Sequence, residues 1–198
     1  MAKDPAQSSQ TSLPGVMDKV DVRFTRARAI HAASRLKPIL LKYVLRGRDG
    51  KPLCRLAGSL RRRSREVHDI DVVACVSRTP DDLMAPESNP RARLRSEITA
   101  RAGKIVSWGP DHARFTFEDI PVDLYFAKPS RFAVALLVAT GSARHLRKLD
   151  LRAKARNLHL QPAQHLLATN DYAEIALDSE SDVYQTLGVP YQSPQQRA

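Results

Sequence analysis

At 198 residues with a formal net charge of +11, the chain is long enough to bury a sizeable core and basic enough to favour polyanionic partners over acidic ones. No run of eighteen apolar residues occurs, and the first residues lack the apolar core of a secretory signal, so neither a membrane span nor that route of secretion is expected. Cys54 and Cys75 stand alone in apolar strands, which excludes a disulfide framework and a zinc site and reads as core packing in a reducing, cytoplasmic setting, a host-cell interior or nucleoid.

Met1 to about Val20 is rich in Ser, Gln, Ala and Pro without an apolar period, the composition of a disordered tail. Thr25 caps a helix running to about Leu45, with Ala29, Ile30, Ala33, Leu36, Leu40, Leu41 and Val44 at core-facing spacings and Pro38 inside it. A Gly- and Asp-containing turn from Arg46 to Pro52 leads into the apolar strand Leu53 to Ala57. Gly58 then permits close backbone approach, and Ser59 begins a helix whose free N–H groups favour anions. Arg61, Arg62, Arg63 and Arg65 add cationic donors. The next segment, His68 to Val76, is β-branched and apolar after Ile70, a largely buried strand. Alternation puts Asp69 and Asp71 on one face and Ile70 and Val72 on the other. Two carboxylates that close repel unless a cation lies between them, and hard oxygen ligands at this spacing suit Mg²⁺ or Mn²⁺.

Ser77 to Pro90 reads as a loop, followed by a helix from about Arg91 to Ala102. Three short strands follow, Lys104 to Trp108, Ala113 to Phe117 and Ile120 to Phe126, in which Trp108 and Phe115 read as packing groups. Asp123 alternates with Val122 and Leu124, and a buried acid on a strand needs a partner; a metal shared with Asp69 and Asp71 would supply one. Pro129 starts a helix with Phe132, Leu136 and Leu137 on its inward face, broken at Thr140-Gly141-Ser142. From Ala143 to Arg156 the cations Arg144, Arg147, Lys148, Arg152, Lys154 and Arg156 face only Asp150, which reads either as a solvated face or as a DNA-backbone contact. The six histidines show no zinc spacing and receive no catalytic role.

Taken together, Gly58-Ser59, Arg61-Arg62 and Asp69-Ile70-Asp71 resemble the nucleotidyltransferase signature of the family X DNA polymerases, the polymerase beta group. The segment IPVDLYF offers Asp123 where that family carries its last metal-binding carboxylate. Thr140-Gly141-Ser142 resembles the family's turn of the same sequence, and Asp178 to Arg197 resembles its C-terminal segment, so the likeness runs from about Arg23 to Arg197. The resemblance implies an α+β fold: a nucleotidyltransferase palm over residues 21–128, its mixed or antiparallel sheet backed by helices, and a smaller α+β nucleotide-selection subdomain over 129–198. Residues 1–20 are too few to encode the helix-hairpin-helix domain that family members usually carry, so this is expected to be a minimal form.

The same resemblance implies a monomer that adds nucleotides to a primer 3′-hydroxyl, filling short gaps in DNA repair. Its partners would be gapped or primer-template DNA and nucleoside triphosphates. Asp69, Asp71 and Asp123 would be the catalytic ligands of two Mg²⁺ (or Mn²⁺) ions. Gly58, Ser59, Arg62, Arg26, Thr140 and Gly141 would bind the nucleotide, and Arg144, Arg147 and Lys148 the DNA. The chain departs from the family in carrying Val138-Ala139 where an aromatic pair is common, and the family's minor-groove asparagine and arginine fall, without gaps, on Leu146 and Asp150. An alanine methyl crowds the sugar's 2′ position less than a ring does, so weak discrimination against ribonucleotides is expected. Two other functions fit the residues: a nucleotidyltransferase acting on RNA ends or a small acceptor, and a non-catalytic basic DNA-binding protein.

Overall fold

The structure, a computed structural model, describes residues 22–77, 89–101 and 103–197. The tail expected over residues 1–20 and most of the loop expected after Ser77 lie outside the described residues. A short strand β1 (Phe24–Thr25) leads into helix α1 (Arg26–Leu41), whose N-cap Thr25 accepts a hydrogen bond from the Arg28 N–H. The helix stops about a turn before the expected Leu45, because the chain there changes to extended pairing. Val44 bridges to Val76, and the Leu45 N–H donates to the Cys75 carbonyl at 2.8 Å.

Strand β2 (Cys54–Leu56), the four-residue helix α2 (Gly58–Arg61), β3 (Glu66–Val67) and β4 (Ile70–Ala74) follow, then α3 (Pro90–Ala100), β5 (Ile105–Trp108), β6 (His112–Phe117) and β7 (Ile120–Phe126). The principal sheet has the order β2-β4-β7-β6-β5. Its β4–β7 pair is parallel and its other pairs are antiparallel, so the sheet is mixed. Period-2 alternation divides it into two faces. Ile70, Val72, Ala74, Ala113, Phe115, Phe117, Val122, Leu124 and Phe126 pack with Leu36, Leu40, Leu94 and Ile98 of α1 and α3 in one core. Trp108 packs at its edge, with ring centroids 5.7 Å from Phe126 and 6.5 Å from Phe115.

The other face is shared between chemistry and a second set of helices. A 3₁₀ turn at Pro129–Arg131 leads into α4 (Phe132–Thr140), then come α5 (Ala143–Lys154), the hairpin β8 (Leu158–Gln161) and β9 (Leu166–Thr169), and α6 (Glu180–Thr186). The α4 sequence FAVALLVAT is apolar on every side, which suits a helix buried all round. Phe132, Ala135 and Leu136 close over Ala57, Val73 and Cys75 of the sheet, while Ala133, Val134 and Leu137 join Leu149, Leu160, Leu167, Val183 and Tyr184 in a separate C-terminal core. The fold is therefore α+β, a mixed sheet backed by helices with a C-terminal α+β unit docked through α4. Burial pushes the thiols of Cys54 and Cys75 up to about 11 and about 12, in keeping with packing roles. No helix among the described residues is long and apolar enough to cross a membrane.

A buried ion network fastens the two parts. Arg197 is 1% exposed, lies against the rings of Tyr184 and Tyr191, and donates to Glu180 Oε1 at 2.6 Å. Arg61 of α2 reaches across, donating through Nη1 to Glu180 Oε1 at 2.9 Å and to the Thr140 hydroxyl at 2.7 Å. Burial alone would push the Glu180 carboxyl up, but the two guanidinium groups outweigh it and hold the carboxyl below its ordinary value. Removing the carboxylate strands a buried cation, so Glu180→Ala is expected to lower stability by about 3–5 kcal/mol. In urea unfolding this appears as a lower midpoint at constant m, and a loss below about 1 kcal/mol would contradict the joint described here.

Candidate active site

The parallel pairing of β4 with β7 sets Asp71 opposite Asp123 in the ladder. Asp69 lies in the bend just before β4, one pleat further along the same side. Asp123 is 5% exposed, whereas Asp69 and Asp71 are half-buried. Burial, with the Asp69 and Asp123 charges adding to it, pushes the Asp71 carboxyl up to about 7, and burial and Asp123 likewise raise Asp69. The Tyr125 hydroxyl, raised by burial and by the same three acids, donates to Asp71 Oδ1 at 3.4 Å.

Asp123 has protein partners of its own. The two-residue turn at Glu118-Asp119, both at positive φ, fixes the β6–β7 register, so that Arg114 faces Asp123 and His112 faces Tyr125. His112 Nε2 lies 2.8 Å from Asp123 Oδ1, and Arg114 Nη1 lies 3.4 Å from Oδ2. A histidine and an arginine on the neighbouring strand thus contact this buried acid. Among the described residues no three His, Cys, Asp or Glu side chains converge in metal-binding geometry. The three carboxylates share a face, with Asp123 turned onto β6.

Gly58 has φ of +58°, and a Cβ there would fall 1.7 Å from Asp71 Oδ2, so only glycine allows the backbone this close to the carboxylate. The Ala57 N–H donates to the Asp71 carbonyl at 2.8 Å, fixing the turn to the strand. Ser59 Oγ is buried without a hydrogen-bond partner, as is Arg26 Nε at the start of α1. Arg62 was expected on phosphate; its guanidinium donates to the Thr140 carbonyl and lies near enough to Asp71 to lower that carboxyl slightly against the dominant burial. Gly141, at φ of +66°, turns the chain out of α4 beside the Arg62 guanidinium, and Ser142 caps α5 by accepting from the His145 N–H. The Gly141–Ser142 peptide is cis. Arg144, Arg147 and Lys148 are exposed on α5.

The structure thus brings together Asp69, Asp71 and Asp123, with Gly58 against Asp71 and Arg62 tying their neighbourhood to Thr140 and Gly141. Sequence reading missed His112, Arg114, Tyr125 and the Arg61–Glu180–Arg197 network. The first three were within reach of a hairpin argument: a two-residue turn at Glu118-Asp119 pairs Arg114 with Asp123 by counting outward. The network joins residues more than a hundred positions apart, and no local pattern announces it.

Residues 135–198 match the family model described as DNA polymerase beta thumb. That relates the C-terminal third of the chain, including Thr140, Gly141 and the basic helix α5, to polymerases of the family X kind. The match does not extend to the three aspartates. A comparison with curated proteins returns no match.

The donor set suits a hard divalent cation. It consists of carboxylate oxygens, two of them raised chiefly by burial and further by their neighbours' charge, beside an orphaned buried hydroxyl at Ser59. The metal-free protein therefore carries a cost at Asp71. Its carboxyl titrates near 7 in the native chain and near 3.8 when unfolded, so native protein holds a proton that unfolded protein has lost, and stability falls as pH rises from about 4 to about 7. Asp71→Asn removes that penalty and is expected to raise the Tm of the metal-free protein by several °C at pH 8, at about 2–4 °C per kcal/mol for a chain of this length, with little effect at pH 4. Added Mg²⁺ or Mn²⁺ should raise the wild-type Tm at pH 8 more than that of the variant. A lower metal-free Tm for the variant at pH 8 would contradict the repulsion.

Proposed function

We propose that this chain is a metal-dependent nucleotidyltransferase of the family X polymerase type, adding nucleotides to a primer 3′-hydroxyl on gapped or primer-template DNA. The reading assigns residues 21–128 to the palm and 129–198 to the nucleotide-selection subdomain of a monomer working in a cytoplasmic or nucleoid compartment in DNA repair. The observation that carries it is the β4–β7 register, which pairs Asp71 with Asp123 while the Gly58-Ser59 turn lies directly against Asp71. The thumb match over 135–198 supports the same direction from the other half of the chain.

Asp69, Asp71 and Asp123 would hold two Mg²⁺ or Mn²⁺ ions, which when bound neutralise triphosphate charge and make a hydroxyl easier to deprotonate. The remaining work falls to the chain's own groups. Ser59 Oγ, buried and unpartnered, is available to donate to a phosphate oxygen, and Gly58, lacking a side chain, lets the turn that carries Ser59 lie against the Asp71 carboxylate. Arg26 and Arg62 supply positive charge on the leaving-group side, where pyrophosphate departs as the 3′-oxygen bonds to the α-phosphorus. His112 and Arg114 hold the Asp123 carboxylate in one orientation, a second layer of contacts of the kind that commonly tunes metal ligands. Thr140 and Gly141 shape the nucleotide pocket, with Arg61 donating to the Thr140 hydroxyl and Arg62 to its carbonyl. Arg144, Arg147 and Lys148 project from the same turn toward solvent, placed to neutralise DNA phosphates.

Primer extension on gapped DNA tests the proposal. Asp71→Asn and Asp123→Asn should each lower the rate of incorporation at least a thousandfold, roughly 4 kcal/mol of transition-state stabilisation, while leaving DNA affinity within a fewfold. Wild-type activity in either variant would overturn the mechanism. Addition to RNA 3′ ends but not to any DNA primer would move the substrate to the RNA class with the same residues in the same roles.

A further inference from the structure

The β8–β9 hairpin carries an aromatic pair that the site above does not use. Tyr172, just beyond β9, is 68% exposed, yet its ring lies flat on His159 of β8, with centroids 5.1 Å apart and planes within 10° of parallel. Asn170 Oδ1 accepts from His159 Nε2 at 3.2 Å and steadies the lower ring. The core does not need either ring, because Leu160 and Leu167 face it while His159 lies on the opposite face of the hairpin. One face of Tyr172 is covered by imidazole and the other is open. Tyr172 also holds φ of +62°, a conformation uncommon for a bulky side chain, so the turn keeps a ring where Asn or Gly would fit more easily.

The chain leading to this hairpin is basic. The twelve residues of α5 rise about 18 Å from the Thr140-Gly141-Ser142 turn and expose Arg144, Arg147, Lys148 and Arg152. Exposed Arg156 then leads into β8, whose first residue Leu158 pairs with Thr169 at the Tyr172 end of the hairpin. The acidic side chains there are engaged: Thr169 donates its hydroxyl to Asp171, and Glu174 accepts from Ser130 and Arg131 at 2.8 and 2.7 Å. Exposed cations together with a flat, backed aromatic face are the elements that bind single strands without sequence preference.

We propose that Tyr172, backed by His159, is a stacking platform for an unpaired nucleobase of a single strand, a role that rests on nucleic-acid binding by this chain. The test is direct binding to two probes, a blunt DNA duplex and the same duplex with a single-stranded overhang of about ten nucleotides carrying 2-aminopurine. The overhang should tighten binding to wild type and quench the fluorophore. Tyr172→Gly, which removes the ring and relieves the backbone, should weaken overhang binding roughly tenfold or more, abolish the quench and leave blunt-duplex affinity unchanged. Tyr172→Phe should behave as wild type, because the stack needs the ring and not the hydroxyl. Equal overhang binding by wild type and Tyr172→Gly would overturn the platform while leaving DNA binding standing, and would leave the exposed ring to a protein partner. Equal losses on both probes would assign Tyr172 a structural role, and failure of wild type to bind either probe would overturn nucleic-acid binding and the platform with it.

Discussion

The parallel pairing of β4 with β7 is the constraint on which the rest depends. Ladder register sets Asp71 opposite Asp123, and the period of two carries Asp69 to the same side, so three acids share a face whose neighbours cannot all neutralise them. The sheet tolerates the arrangement because its opposite face is continuously apolar against α1 and α3. Hydrophobic burial on one side stabilises electrostatic repulsion on the other. Burial, and the neighbouring charges after it, holds the Asp71 and Asp69 carboxyls above their ordinary values, while His112 and Arg114 contact Asp123. Local inconsistency of this kind is what a functional site looks like within an otherwise self-consistent fold.

Coupling between the two halves follows from α4 and from a single carboxylate. An all-round apolar helix must be covered on both sides, so α4 belongs to the sheet and to the C-terminal unit at once. Glu180 then takes Arg61 from the turn that carries Gly58-Ser59 and Arg197 from the end of the described chain. Arg61 and Arg62 are adjacent in sequence and both bind Thr140, one at its hydroxyl and one at its carbonyl. The Gly58-Ser59 turn and the Thr140-Gly141 turn are therefore held in fixed relation by two neighbouring arginines.

Much of this was legible in the sequence wherever the signal is local. Strand Ile120–Phe126 matches its expected limits, and the alternation around Asp71 and Asp123 places both acids away from the core, as period two requires. Thr25 caps α1, but the helix ends at Leu41 because Leu45 finds a better partner in the Cys75 carbonyl, a tertiary preference that helical periodicity cannot register. The arginine cluster reads in the sequence as a set of cationic donors, and two of its members make tertiary contacts: Arg61 with Glu180 and Arg62 with the Thr140 carbonyl. Charge alone does not tell an arginine that meets a ligand from one that holds a joint. Ala139, which its sequence position suggests as an open wall beside the sugar, is partly buried against the cluster that holds Phe132, Ala135 and Leu136, so a larger residue there would meet the protein core.

Titration of Mn²⁺ into the metal-free protein, followed by electron paramagnetic resonance with and without a non-hydrolysable deoxynucleoside triphosphate, tests the shared carboxylate face most directly. If Asp69, Asp71 and Asp123 form one ligand set, wild type should bind two ions per chain when the triphosphate is present, and Asp123→Asn should lose one of them or weaken it by about 10- to 100-fold. Undiminished binding of both ions in Asp123→Asn, or no Mn²⁺ binding by wild type with triphosphate present, would contradict it.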